Sequence, residues 1–289
     1  MRSGRLVRVG HGAFVDRAAW DAATEWEQHI VGVVAALERA PRLHASHASA
    51  VVLHRLPWIK PVPVRATLTD PCRSTSQRTR FVDKVGGEGT AADLVDVEGV
   101  RVTGLIDTAV DVAGRYDRGR ALAVADAVIR RGVPATALMD RFAARRPGRS
   151  HRRARQVLEM ASGSSESAGE SIAHLVMRDV GCPPPVQQQV FQDESGVIGR
   201  VDFWFPEHGV IVEFDGLAKY RDPSIRGGRT ADEVVIAEKL REDRLRAVDG
   251  VRRVVRPIWR DVVPGGRFPA MLADAGVPVR RGVRTTPAW

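Results

Sequence analysis

Between Gly199 and Gly216 the chain alternates apolar and polar residues with period two across two successive runs, the pattern of paired β-strands. Val201, Phe203, Phe205, Val210, Val212 and Phe214 fall on one face, and Asp202, Trp204, Ile211, Glu213 and Asp215 on the other. A turn centred on Glu207 and His208 makes the segment a hairpin. It pairs Val201 with Phe214, Phe203 with Val212, and Asp202 with Glu213. The all-apolar face is expected to be buried, and a slip of one residue would reverse the faces.

Around the hairpin the pattern predicts a helix through Glu170 to about Val180, capped by Ser165, with Ile172, Leu175, Val176 and Val180 as its apolar stripe. Val186 to Gln192 reads as a strand, Ala231 to about Val248 as a helix, and Val251 to Arg256 as a final strand. The order helix, three strands, helix, strand implies an α/β core, with a mixed sheet flanked by helices. Ahead of Ala161 to Ser165, where the composition shifts, the elements are shorter. Strands are expected at Leu6 to Val9, Ala13 to Val15, Val62 to Thr69, Leu94 to Val97 and Val100 to Thr103. Helices are expected from Ala18 to Glu38, after Ser46, from Asp107 to Ala113 and from Arg118 to Arg131. The chain therefore divides into residues 1–160, a smaller α+β and mostly helical region, and residues 161–289.

With 289 residues, two domains are expected. A formal net charge of +9 favours a polyanionic partner, nucleic acid first, although a basic balance also serves general solubility. No apolar run is long enough to span a bilayer and no signal-like segment opens the chain, so a cytoplasmic protein without a membrane partner is expected. Cys72 and Cys182 form no Cys-x-x-Cys pair and read as reduced thiols.

Opposed residues of an antiparallel pair have Cβ atoms about 4.5 to 5.5 Å apart, so facing carboxylates repel unless a cation lies between them. Asp202 and Glu213 are thus candidate ligands of a divalent metal; the alternative is an ordinary solvated strand face. Mg²⁺ takes oxygen ligands at about 2.0 to 2.1 Å and fits such a gap. Glu166 and Glu170 stand four residues apart, away from the centre of the helix stripe, as a solvated face also would. His44 and His47 have helical i, i+3 spacing, but no nearby carboxylate or cysteine completes a metal site, so satisfied or surface histidines are expected. The arginine-rich run from Arg141 to Arg155 either contacts phosphates or forms a solvated linker and helix surface.

Arg200-Val-Asp202, then Glu213-Phe-Asp-Gly216, Lys219-Tyr220 and Glu238-Lys-Leu-Arg241 resemble the restriction-endonuclease superfamily known as PD-(D/E)xK. The resemblance spans about Ser165 to Val263 and is nearest to the branch related to the very-short-patch mismatch repair endonuclease. It implies metal-dependent hydrolysis of DNA phosphodiester bonds, in phage defence or DNA repair. Asp202 matches the first metal-binding aspartate, Glu213 the acid of the next strand, and Glu170 the glutamate of the first helix. Mg²⁺ or Mn²⁺ is the implied cofactor. Asp215 stands where the common motif has lysine, and is open to roles as a ligand through water, a general base or a structural acceptor. The catalytic cation then falls to Lys219 or Lys239. Arg241 and Glu242 read either as site residues or, more simply, as a salt-bridged helix surface.

Leu6 to Val15 and Ser46 to Pro57 resemble antitoxins of the abortive-infection, type IV toxin–antitoxin kind. That resemblance makes the opening strands a truncated winged-helix wing, without the DNA-reading helices that precede it, and implies a toxin or other protein partner. Two functions follow: a DNA nuclease whose first region positions substrate or a partner, or a non-catalytic, antitoxin-like DNA-binding regulator that keeps a nuclease fold.

Overall fold

A computed structural model describes residues 5–59, 61–87, 93–148, 150–216 and 231–280, the side chains of 231, 232, 234 and 235 excepted. The chain is a mixed α/β protein that separates into two compact units, residues 1–163 and 164–288. No helix among the described residues is long and apolar enough to cross a membrane.

The first unit opens with a two-stranded antiparallel hairpin of β1 (Leu6–Arg8) and β2 (Phe14–Asp16). The single helix expected from Ala18 to Glu38 is two, α1 (Arg17–Ala22) and α2 (Glu25–Arg39). Thr24 separates them by starting a new helix. Its hydroxyl accepts from the Glu27 N–H at 3.3 Å while the Glu27 carboxylate accepts from the Thr24 N–H at 2.7 Å, a reciprocal capping box.

Six short strands join in one mixed sheet: β3 (His44–Ala45), β4 (Ala66–Asp70), β5 (Gln77–Arg78), β6 (Val82–Gly86), β7 (Leu94–Val97) and β8 (Val100–Thr103), in the order β5-β6-β4-β3-β8-β7. Between β3 and β4 lies α3 (His47–Leu53). Ser46 stands at its N-cap but makes no capping bond; its hydroxyl instead accepts from Thr69 Oγ1 at 2.8 Å. Val33, Leu43, Leu53, Leu68 and Val102 form the core between this sheet and its helices.

Four further helices complete the unit: α4 (Leu105–Arg115), α5 (Arg118–Arg130), α6 (Ala135–Ala143) and α7 (His151–Met160). Within the arginine-rich run, Arg141 and Arg145 are half-buried ion-pair partners rather than solvated surface. They bind Asp107 and Asp111 of α4, whose side chains are 1% and 7% exposed. Sequence spacing hides this, because the acids lie on α4 and the arginines on and just after α6.

The second unit comprises α8 (Ala168–Asp179), β9 (Val186–Asp193), β10 (Gly196–Phe205), β11 (Val210–Val212), α9 (Ala231–Ala247), β12 (Arg253–Val255), α10 (Trp259–Val262) and α11 (Phe268–Asp274). Its sheet runs β12-β11-β10-β9, antiparallel except for the parallel pair β11 and β12. The register pairs Phe203 with Val212, Trp204 with Ile211 and Phe205 with Val210, as the alternation requires.

All six residues of the apolar face are buried. Helix α8 packs close to that face through Gly169, where an added Cβ would lie 2.0 Å from the Phe214 ring. The opposite face is not purely solvated, since Ile211 is fully buried in a cluster with Phe191, Ile198 and Leu245 of α9. Ser167, not Ser165, caps α8, accepting from the Glu170 N–H at 3.2 Å, so Glu166 precedes the helix.

Candidate functional site

The β10–β11 ladder ends one pair short of Asp202 and Glu213. Phe214 N–H, which would have continued it, donates instead to Asp202 Oδ2 at 2.7 Å. Glu213 N–H donates to Val255 O at 3.0 Å and Asp215 N–H to Pro257 O at 2.9 Å, so the chain after Val212 follows β12 and leaves β10. The splayed end opens a cleft of about 330 Å³ lined by Asp202, Glu213 and Asp215, the three carboxylates of the hairpin face.

Arginines also enter this cleft. Arg241 of α9 donates to Glu213 Oε1 at 2.7 Å and to Arg200 O at 2.9 Å; Arg256, just after β12, donates to Glu213 Oε2 at 3.1 Å and to Glu238 at 2.7 Å. Burial works against the Arg241 charge, yet its hydrogen bond to Glu213 and the neighbouring carboxylates raise its pKa further, so it stays cationic. Gly199, at φ +155 beside a β-bulge, makes room for this guanidinium: a Cβ there would lie 2.8 Å from Arg241 Nε.

The helix-surface reading of Arg241 and Glu242 is thus corrected in part. Arg241 spans both roles, pairing with Glu238 one turn away and reaching Glu213 across the sheet, while Glu242 pairs with Arg246 and Arg256. Arg256 and Gln188 line the cleft without having been singled out in the sequence, and Glu238, which opens the Glu238 to Arg241 motif, lines it as well. The only available hint was the i, i+3 pairing of Glu238 and Arg241. Lys239 is exposed on α9 and does not line the cleft, and Lys219 lies outside the described residues.

Glu170 is not on a solvated face. It is 7% exposed and stands just behind the cleft wall, its Oε2 accepting from the Glu166 N–H at 2.8 Å and from Gln188 Nε2 at 3.3 Å. Gln188, opposite Asp202 on β9, holds φ +57, a region a non-glycine residue occupies at a cost of about 1 to 3 kcal/mol.

Two proteins of Mycobacterium tuberculosis, the uncharacterized protein Rv2248 of strain ATCC 25618 / H37Rv and the uncharacterized protein MT2308 of strain CDC 1551 / Oshkosh, are each 30% identical to this chain over 230 residues. The match covers 78% of the chain and 79% of each relative. The chain belongs to their family. No family model and no solved structure matches it significantly. Since 230 residues exceed the length of either unit, the likeness to Rv2248 and MT2308 extends over both.

In this member of the Rv2248 family the cleft carries five carboxylates, on Glu166, Asp202, Glu213, Asp215 and Glu238, against three guanidiniums, on Arg200, Arg241 and Arg256. The formal excess of two negative charges suits a divalent cation. Among the described residues no three His, Cys, Asp or Glu side chains lie close enough to hold an ion together. The donor set therefore fits an ion held by one or two carboxylates with water completing its shell, as Mg²⁺ commonly is.

Proposed function

We propose that the second unit is a metal-dependent nuclease domain that hydrolyses DNA phosphodiester bonds. The observation carrying this reading is the cleft at the splayed end of β10 and β11, which gathers Asp202, Glu213 and Asp215 with an acidic excess of two. The helix, three-strand, helix, strand order with one parallel pair resembles the PD-(D/E)xK core and supports the same reading.

Asp202 and Glu213 are the residues to hold Mg²⁺ or Mn²⁺. When bound, the ion polarises a phosphate oxygen and lowers the pKa of its water. Phe214 N–H fixes the Asp202 carboxylate at the cleft. Arg241 and Arg256 hold Glu213 in place and bring positive charge to a bound phosphate, taking the part the sequence reading gave to Lys219 or Lys239. Glu170 acts through Gln188 and the Glu166 backbone as a positioning residue. Asp215 lines the cleft as an outer acceptor or base. The first unit is proposed to position DNA or a protein partner in the cytoplasm.

A non-catalytic DNA-binding regulator is the second reading. The observation favouring it is that each Glu213 oxygen is already held by an arginine. Incubating the purified chain with plasmid and single-stranded DNA in Mg²⁺ or Mn²⁺ tests the choice. Metal-dependent cleavage abolished in Asp202→Ala and Glu213→Ala is the expected result. DNA binding without cleavage on either substrate would favour the regulator.

A further inference from the structure

Two adjoining cavities of the first unit meet at His47, Asp111 and Arg145. One is narrow, about 110 Å³, and is lined also by His44, Thr69 and Gly86. The other is wide, about 800 Å³, and is lined also by Arg115, Arg146, Phe142 and His151.

Several independent features point to a ligand here. His44 is 5% exposed, yet its Nε2 has no hydrogen-bond partner, and it lines the narrow cavity. A buried polar group left unpaired is costly, so a ligand atom supplied from outside, an acceptor for the Nε2–H tautomer, would relieve it. His47 is buried and held at φ +53, a backbone region that L residues seldom occupy. Its Nδ1 lies 3.8 Å from Asp111, which is itself matched by Arg145 at 2.7 Å.

The lining suits an anion rather than a metal. No three metal-ligating side chains among the described residues converge, whereas Arg115, Arg145 and Arg146 outnumber the one lining carboxylate by two. Two positive charges match a phosphate monoester dianion. Burial holds the His44 and His47 rings below the ordinary histidine range, so they remain neutral and serve as hydrogen-bonding groups. In the wide cavity the Phe142 and His151 rings stack with centroids 4.5 Å apart and 22° between planes, an aromatic pair on which a base can continue the stack. Its volume falls in the range of about 300 to 1,000 Å³ usual for small-ligand sites.

We propose that the first unit binds a nucleoside 5′-phosphate across these cavities, its phosphate where they meet, among His47, Arg145 and the Arg115 and Arg146 side chains of the wide cavity with His44 on the narrow side, and its base in the wide cavity against Phe142 and His151. A free nucleotide and the 5′ end of a nucleic-acid strand share this chemistry.

The test is isothermal titration of the full-length Asp202→Ala chain without divalent metal, so that nuclease action neither consumes ligand nor decides the outcome. The probes are AMP, adenosine, and a short DNA oligonucleotide with either a 5′-phosphate or a 5′-hydroxyl. AMP is expected to bind at least tenfold more tightly than adenosine. Arg115→Gln and Arg146→Gln, both at exposed positions, are each expected to weaken AMP at least tenfold while thermal unfolding stays unchanged. Tighter binding of the phosphorylated oligonucleotide than of AMP assigns the site to strand ends, and the reverse assigns it to free nucleotide. Affinity indifferent to the phosphate, affinity unchanged in both arginine variants, or no binding of either phosphorylated probe below millimolar concentration overturns the proposal.

Discussion

The two units each build a cluster of arginines around carboxylates, and the clusters differ in how many acceptor sites they leave open. Asp107 in the first unit accepts from Arg141 Nε at 2.6 Å, Arg141 Nη2 at 2.9 Å, Arg145 Nη2 at 2.5 Å and the Asp93 N–H at 2.9 Å. A carboxylate offers about four lone-pair sites, so Asp107 is saturated. Its pKa reflects this, since burial would raise it but the hydrogen bonds from Arg141, Asp93 and Arg145 prevail and hold it below the ordinary range. Among the described residues Glu213 in the second unit accepts only from Arg241 and Arg256 and faces a cleft with acids in excess. Saturation marks a structural pair; spare acceptors mark a place for a ligand.

The sharpest way to break this contrast is to remove one acid from each cluster. Asp107→Ala removes the carboxylate that Arg141 and Arg145 share at a buried site and is expected to cost about 3 to 5 kcal/mol of stability. Glu213→Ala, at a partly open cleft, is expected to change stability by less than about 1 kcal/mol while abolishing cleavage. Chemical denaturation of both variants checks the pair, and equal losses would erase the distinction.

Gly169→Ala probes whether the second unit depends on the close approach of α8 to the hairpin. Overpacking against Phe214 is expected to cost about 1 to 3 kcal/mol and to weaken metal binding by displacing the strand end. A stability loss with metal affinity intact would detach α8 from the site.

A smaller change separates fold from site in the other direction. Thr24→Ala removes the capping box of α2 and is expected to cost about 1 kcal/mol, with no effect on metal affinity.

Acid should distinguish the units most gently. Burial lowers the pKa of His29, His44, His47 and His54, all in the first unit. The unfolded chain therefore takes up more protons than the folded one below the ordinary histidine pKa of about 6.5. The stability these rings contribute is present above that value and lost as pH falls. The Asp107 contribution follows below about 4, the ordinary aspartate range. Hydrogen exchange at pH 7 and pH 5 is expected to show protection falling first in residues 44–54, and uniform loss across both units would contradict this.

Much of the second unit was legible because one local pattern determined it. Alternation from Val201 to Phe214 gave the hairpin, its buried face and its register from Phe203 to Val212, and grouped Asp202, Glu213 and Asp215, although the expected pairs Asp202–Glu213 and Val201–Phe214 do not form because the chain after Val212 follows β12. What was not legible depends on residues distant in sequence. Arg241 and Arg256 reach Glu213 only because α9 and β12 pack beside β10 and β11, and Arg241 needs the Gly199 bulge as well. In the first unit, Asp111 supplies the carboxylate near His47 that no local spacing offered, and Asp107 absorbs Arg141 and Arg145 from the arginine-rich run. The helix break at Thr24 was available in the Thr24 to Glu27 spacing, but the apolar period continues across it.

Titrating Mn²⁺ into the full-length chain and counting bound ions by electron paramagnetic resonance tests the central claim that the spare acceptors of the cleft receive a divalent cation. One ion per chain is expected for the wild type, with affinity reduced at least tenfold in Asp202→Asn and unchanged in Thr24→Ala. An absence of bound Mn²⁺, or binding that Asp202→Asn leaves untouched, would contradict it.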